Sequence, residues 1–135
     1  MTERRNPAGQ LHGEDGPAVE KPNAYGIRQE WWVNGERHRE DGPAIEDPNE
    51  YGVYRVWYLN RERHREDGPA VDEPHEYGVH REWLIKGKLH REDGPAIEDP
   101  NEYGAHREWY LSGKQMSEEE YIEAGYGEYL VKACK

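Results

Sequence analysis

The sequence predicts a mainly β fold: an elongated single-layer antiparallel β-meander of four tandem 26-residue hairpin repeats, capped by a short C-terminal helix. Three observations carry this. Ten positions recur unchanged at a spacing of 26 from His12, His38, His64 and His90. Each copy holds two runs with strand composition, rich in β-branched and aromatic residues. Each copy also ends its longer run on a turn pair, and the Asn34-Gly35 pair is a strong hairpin signal because both central residues need positive φ. The period sets the boundaries: a polar lead at 1–11, repeats at 12–37, 38–63, 64–89 and 90–115, and a different tail at 116–135.

In chain order, each copy opens on His and an acidic Glu-Asp-Gly-Pro turn. A short strand follows, Ala44-Ile45-Glu46 and its counterparts, with Pro at its start, where a missing N–H does least damage. A connection such as Asp47-Pro48-Asn49-Glu50-Tyr51-Gly52 leads to the longer strand, for example Val79-His80-Arg81-Glu82-Trp83-Leu84-Ile85. That strand stops at Asn34-Gly35, Asn60-Arg61, Lys86-Gly87 or Ser112-Gly113. Two strands per copy give about eight, each copy adding roughly 9.5 Å. Strand alternation puts Ile27, Gln29, Trp31 and Val33 on one face, with Val53, Arg55, Trp57 and Leu59 in the next copy. The opposite face receives Arg28, Glu30 and Trp32, then Tyr54, Val56 and Tyr58, then His80, Glu82 and Leu84, then His106, Glu108 and Tyr110. In the tail, Ser117 and Glu120 form a capping box. Tyr121, Ile122, Tyr126, Tyr129 and Leu130 make an apolar stripe, weakened by Gly125 and Gly127, so a short helix is expected to shield the last repeat's open edge.

Of the 135 residues only 33% are hydrophobic, 35% are charged and none is Phe, so a thick interior is not expected; five Trp and ten Tyr supply the burial instead. A formal charge of −11 argues against direct binding to a phosphate backbone, leaving proteins or small ligands as partners. Protonating all seven His would bring that charge from −11 to −4 and weaken association with a basic partner. Cys134 is the single cysteine, so no internal disulfide forms and the cytoplasm is the expected compartment. No apolar run approaches the roughly 20 residues of a membrane span. The oligomeric state is left open.

The stretch Trp57-Tyr58-Leu59-Asn60 through His64-Arg65-Glu66-Asp67-Gly68-Pro69-Ala70 resembles the membrane occupation and recognition nexus (MORN) repeat, in its D-G-P-A variant. Gly113-Lys114-Gln115-Met116-Ser117-Glu118-Glu119-Glu120 also looks typical of that group. The resemblance covers residues 12 to about 120, and the period of 26 exceeds the family's usual one, lengthening the loop between hairpins. It implies a twisted β-meander used in protein interaction, without catalytic residues, of a kind common in tailed phages and large DNA viruses.

The chemistry-bearing motifs all read as scaffold. Equivalent His residues lie about 9–10 Å apart, too far to share a metal ion whose ligands sit near 2 Å from it, so His12, His38, His64 and His90 are expected to bond neighbouring backbone. His75-Glu76-Tyr77-Gly78-Val79-His80 imitates a zinc-protease helix with the wrong spacing. Asp47 to Gly52 and Asp99 to Gly104 imitate the start of a calcium loop but lack the closing Glu, Tyr58 or Tyr110 standing there instead. The Glu-Asp pairs recur four times, whereas an active site needs one asymmetric pocket. No catalytic residue, metal or cofactor is expected.

The Trp row, Trp31, Trp57, Trp83 and Trp109, with Gly16, Gly42, Gly68 and Gly94 in the turns, is expected to be the repeat scaffold. Arg55, Arg81 and Arg107 are placed to lay their stems over neighbouring indoles. The positions that vary between copies, Trp32, Tyr54, Tyr58 and Tyr110 with Glu30, Glu82 and Glu108, form the expected partner-binding face. The function expected is a non-enzymatic interaction module with an acidic aromatic face for a basic protein. In a phage it would be an inhibitor or adaptor acting on a host factor, including one that mimics nucleic acid. The alternative is a small-ligand, glycan or choline-binding aromatic repeat module.

Overall fold

In the computed structural model the described residues are 1–126. The elements are β1 (Thr2–Glu3), β2 (Val19–Asn23), β3 (Gly26–Glu30), β4 (Trp32–Val33), β5 (Glu36–Arg37), β6 (Ile45–Asn49), β7 (Gly52–Val56), β8 (Tyr58–Leu59) and β9 (Glu62–Arg63). They continue with β10 (Val71–His75), β11 (Gly78–Glu82), β12 (Leu84–Ile85), β13 (Lys88–Leu89), β14 (Ile97–Asn101), β15 (Gly104–Leu111), β16 (Lys114–Met116) and α1 (Glu118–Glu123). Ten strands form one antiparallel sheet in the order β1-β2-β3-β6-β7-β10-β11-β14-β15-β16, and the pairs β4-β5, β8-β9 and β12-β13 stand outside it. The mainly β, hairpin-rich meander with a C-terminal helix is therefore observed. Tyr129, Leu130 and Cys134 lie outside the described residues.

The structure differs from the expected eight-strand ribbon in that each complete copy carries two hairpins. The longer strand is interrupted at Trp31, Trp57 and Trp83, whose backbones act as joints. Trp31 donates its N–H to the Ala44 carbonyl of the next copy at 2.7 Å and accepts from His38 N–H at 3.1 Å. Past the joint the chain forms a short hairpin closed by Asn34-Gly35, with φ of 49° and 80°. The short hairpins are stitched into a second column: Gly35 N–H bonds Leu11 O, Gly87 N–H bonds Arg63 O and Gly113 N–H bonds Leu89 O, at 2.8–2.9 Å.

The connection expected after the short strand is instead its second half. Asp47, Pro48 and Asn49 pair with Tyr54, Val53 and Gly52, and only Glu50 and Tyr51 turn. Pro48 is tolerated because pairing between neighbouring hairpins stops after Gln29↔Glu46 and Glu30↔Ile45, so no ladder partner needs its missing N–H. Asn49 Oδ1 accepts the Tyr51 N–H at 2.8 Å and fixes the turn.

Interrupting the strand also changes what the two faces do. Ile45, Val56, Ala70, Val71 and Leu84 form the core cluster, with Tyr54, Tyr58 and Leu89 packed against it. The face carrying Tyr54, Val56 and Tyr58 is thus an interior one, covered by the second column of hairpins. The opposite face of the large sheet carries charged cross-strand rows such as Glu46↔Arg55 and Asp72↔Arg81, the second an ion pair at 3.3 Å.

The lead joins the array. Arg4 N–H bonds Ala18 O and His12 N–H bonds Arg4 O, the same two bonds that Trp31 makes in the next copy. Residues 2–12 are in effect the second half of a repeat, with Arg4 where the Trp belongs. At the other end Met116 pairs with Trp109, the register place of the next His, and α1 replaces the next acidic loop. The capping box is present: Ser117 Oγ accepts from Glu120 N–H at 3.1 Å, and Glu120 accepts from Ser117 N–H at 3.0 Å. Tyr121, fully buried, accepts from Gly94 N–H and donates to Arg91 O, tying the helix to the last loop.

Candidate functional site

Between the two columns runs a rail of loops with the sequence His-Arg-Glu-Asp-Gly-Pro. Its hub is the Arg. Arg39 places its guanidinium 3.8 Å from the Trp31 ring centroid, Arg65 lies 4.0 Å from Trp57, and Arg91 lies 3.7 Å from Trp83. A cation on an indole contributes about 0.5–2 kcal/mol depending on solvation. These are the stacked cations; the expected Arg55, Arg81 and Arg107 face their carboxylate neighbours across the strands instead. Each hub closes its own loop: Arg39 bonds Asp41 at 3.1 Å, the Pro43 carbonyl at 3.1 Å and Glu46 at 3.4 Å. Gly42 leaves room for the hub, since a Cβ there would lie 2.9 Å from that guanidinium and push it off its place.

The first copy departs from this in a compensated way. Gly13 stands where the Arg belongs, and Arg4, in the Trp's place, reaches Pro17 O and Glu20 with its own guanidinium. One cation per loop is kept by a residue from the opposite side of the joint.

The loop His residues bond backbone. Nδ1 of His12, His38, His64 and His90 accepts from Asn34, Asn60, Lys86 and Ser112 N–H at 2.8–3.0 Å, each on the following hairpin turn. A ring accepting at Nδ1 carries its proton at Nε2. The loops are thereby locked to the second column, and their acids project outward. Side chains of Glu14, Glu40 and Glu66 are 83–86% exposed, and those of Asp41, Asp67 and Asp93 are 84–89% exposed.

Successive loops wall three equivalent grooves of roughly 590–660 Å³. The floors are Trp31 with Val33, Trp57 with Leu59, and Trp83 with Ile85. The middle groove sets four carboxylates, Glu40, Asp41, Glu66 and Asp67, against the two guanidinium groups of Arg39 and Arg65. A trough floored by Trp and an aliphatic side chain, with acidic rims, is the surface available here. No known protein family, curated protein or solved structure matches this chain.

The face expected to bind a partner looks different in place. Trp32, Tyr54, Tyr58 and Tyr110 are partly buried, and Tyr54 and Tyr58 pack on the core. The acids beside them are engaged within the chain. Glu30, with its side chain 13% exposed, bonds Arg28 at 2.9 Å and the Trp32 indole at 3.1 Å. Burial alone would raise its pKa, but Arg28, Trp32 and Arg37 outweigh that and hold the carboxyl below its usual value. Glu82 pairs with His80 at 2.7 Å, and Glu108 with His106 at 2.9 Å. Burial disfavours the charged form of His80, yet Glu82 and Asp99 outweigh it and raise the imidazole's pKa. The internal partner follows the variation between copies, Arg28 for Glu30 and an equivalent His for Glu82 and Glu108. Among the scaffold residues, Gly42 and Gly68 lie under their Arg hubs, Trp31, Trp57 and Trp83 sit at the joints, and Trp109 lies inside the unbroken β15.

Sequence reasoning passed over the loop acids as turn residues and missed Arg39, Arg65 and Arg91 as hubs. The available signal was Arg directly after His in three copies and Gly only where Arg4 precedes it. Among the described residues no group of three or more His, Cys, Asp or Glu is arranged to hold a metal ion, and no helix is long and apolar enough to cross a membrane.

Proposed function

We propose that this chain is a non-enzymatic docking ribbon whose loop rail receives a basic protein surface. The observation that carries the reading is the threefold recurrence of one groove, floored by Trp and rimmed by outward carboxylates. A Lys or Arg entering a groove meets paired charge on both walls and apolar surface for its stem. Recurrence at one spacing favours a partner presenting several cations in a row. The formal charge of −11 adds long-range attraction that speeds encounter.

The test is affinity capture followed by cross-linking with the wild type and with the triple variant Glu40→Gln, Glu66→Gln, Glu92→Gln. These three side chains are exposed, so the fold is retained. The captured protein should cross-link through its lysines to residues 38–43 and 64–69. The variant should lose it, and salt between about 50 and 500 mM should weaken capture progressively. Retention by the variant, or indifference to salt, would show that the loop acids are not the contact.

A further inference from the structure

The large hairpins end in tips on the side of the sheet away from the loop rail, and every tip carries a Tyr. Tyr25, Tyr51, Tyr77 and Tyr103 are 57%, 50%, 47% and 92% exposed. Together with Ile27, at 50%, they are the exposed large apolar side chains of the described residues apart from Met1. The turn does not call for an aromatic ring: its geometry is set by Asn23, Asn49, His75 and Asn101, whose side chains accept the Tyr N–H. Four identical rings persist at tips whose turns are fixed without them, while positions in the core vary between Trp, Tyr and Leu.

The exposures also show how the rings are held. Tyr103, the one Tyr without a following tip, is nearly bare, so the next tip is what covers the other three by about half. The tips touch: Asn23 Nδ2 donates to Asp47 and to the Pro48 carbonyl, and the Pro48 ring lies against Gly26. Contact of this kind keeps the tips at the spacing of the strands. Tyr25, Tyr51 and Tyr77 are therefore about half covered before any partner arrives, which lowers the side-chain entropy left to lose.

Two strands per repeat set the paired parts of successive hairpins about 9.4–9.8 Å apart, and the contacts between tips carry a similar spacing out to the Tyr residues. A polyproline II helix advances about 9.3 Å in its three-residue turn, so a segment lying along the rail would bring an equivalent residue to every tip. Glu50, Glu76 and Glu102 adjoin Tyr51, Tyr77 and Tyr103, and the carboxylates of Glu50 and Glu76 act on the Tyr51 and Tyr77 phenols. The rail thus alternates rings with negative charge.

We infer that the tyrosine rail is a second docking surface, built for an extended proline-rich segment in the polyproline II conformation that carries Lys or Arg at every third residue. Its prolines stack on the Tyr rings, as such segments do in aromatic-lined grooves. Its cations meet the tip glutamates. This surface is independent of the loop grooves, and either can fail without the other.

The probes are two synthetic peptides of about 12 residues, repeats of Pro-Pro-Lys and of Gly-Gly-Lys, which share charge and differ in backbone stiffness. Titration calorimetry at fixed salt should give at least about tenfold tighter binding of the proline peptide. The double variant Tyr51→Ala, Tyr77→Ala should lose that advantage. The double variant Glu40→Gln, Glu66→Gln, on the loop rail, should keep it within about twofold. Both pairs are surface substitutions, and far-UV circular dichroism verifies folding. Equal affinity for the two peptides, binding that survives the tyrosine substitutions, or loss through the loop variant would overturn the inference. So would Tyr-dependent binding of a soluble β-linked glucan oligosaccharide with no response to the proline peptide.

Discussion

Arg61 takes the turn position that Gly fills in the other three copies, at φ 73°, and its N–H reaches the Arg37 carbonyl at 3.3 Å against 2.8–2.9 Å for those glycines. A left-handed conformation costs an L-residue roughly 1–2 kcal/mol, partly offset by the greater freedom of Gly in the unfolded chain. Arg61→Gly should therefore stabilise the protein by about 0.5–1 kcal/mol, read as a raised urea midpoint with unchanged slope. The loop His residues predict the opposite sign. Removing His64 takes the acceptor from the Lys86 N–H, and His64→Ala should lose about 0.5–1.5 kcal/mol in the same assay. His80 adds a pH dependence. Its folded pKa is raised by Glu82 and Asp99, so its ion pairs contribute fully below the unfolded value of about 6.5 and that contribution fades as pH rises through the folded value. Stability measured from pH 5.5 to 8.5 should fall less steeply in His80→Gln than in the wild type; parallel curves would exclude the linkage.

At the scale of elements, the hairpin turns, the capping box and the strand composition were legible because each is a local rule written in neighbouring residues. Asn34-Gly35 and its equivalents adopt the expected positive φ, and Ser117 and Glu120 exchange the expected bonds. What could not be read was the break at Trp31, Trp57 and Trp83. Alternation continues through the Trp in the sequence, and the joint exists only because the next copy offers both Ala44 O and His38 N–H. The face assignment followed the unbroken strand and so set Tyr54, Tyr58 and Leu84 outward, where the structure packs them with Val56. The loop acids read as turn residues for a related reason: their spacing is visible, but their projection depends on the Arg and His anchors behind them. Val56, fully buried at the centre of that cluster, is the place to test the packing. Val56→Ala should cost about 2 kcal/mol by chemical denaturation, whereas a cost near zero would mean the second column does not cover this face.

Over the whole molecule neighbouring copies are joined by the same links, Trp to the next Ala, Arg to the preceding Trp and tip to tip, while His to the following turn closes each copy on itself. Stability of such an array is close to a sum of units and nearest-neighbour contacts. Deleting residues 38–63 should give a folded, shorter protein with lower unfolding enthalpy and a retained two-state transition. Deleting 38–62 moves Trp, Arg and His out of step and should abolish cooperative melting. Calorimetry on the two deletions separates a true modular array from a globule that happens to repeat.

The strands of the large sheet lie across the long axis, with β1 at one border and β16 at the other. Tension applied between the two borders would act on the ladder as on a zipper, opening the hydrogen-bonded pairs in succession and not shearing them together. Each 26-residue unit released would lengthen the tether by about 80 Å, from the reach of an extended chain less the width it occupied in the sheet. A force trace would then be a staircase of low, evenly spaced steps, giving a partner bound along either rail a way to be shed one grip at a time.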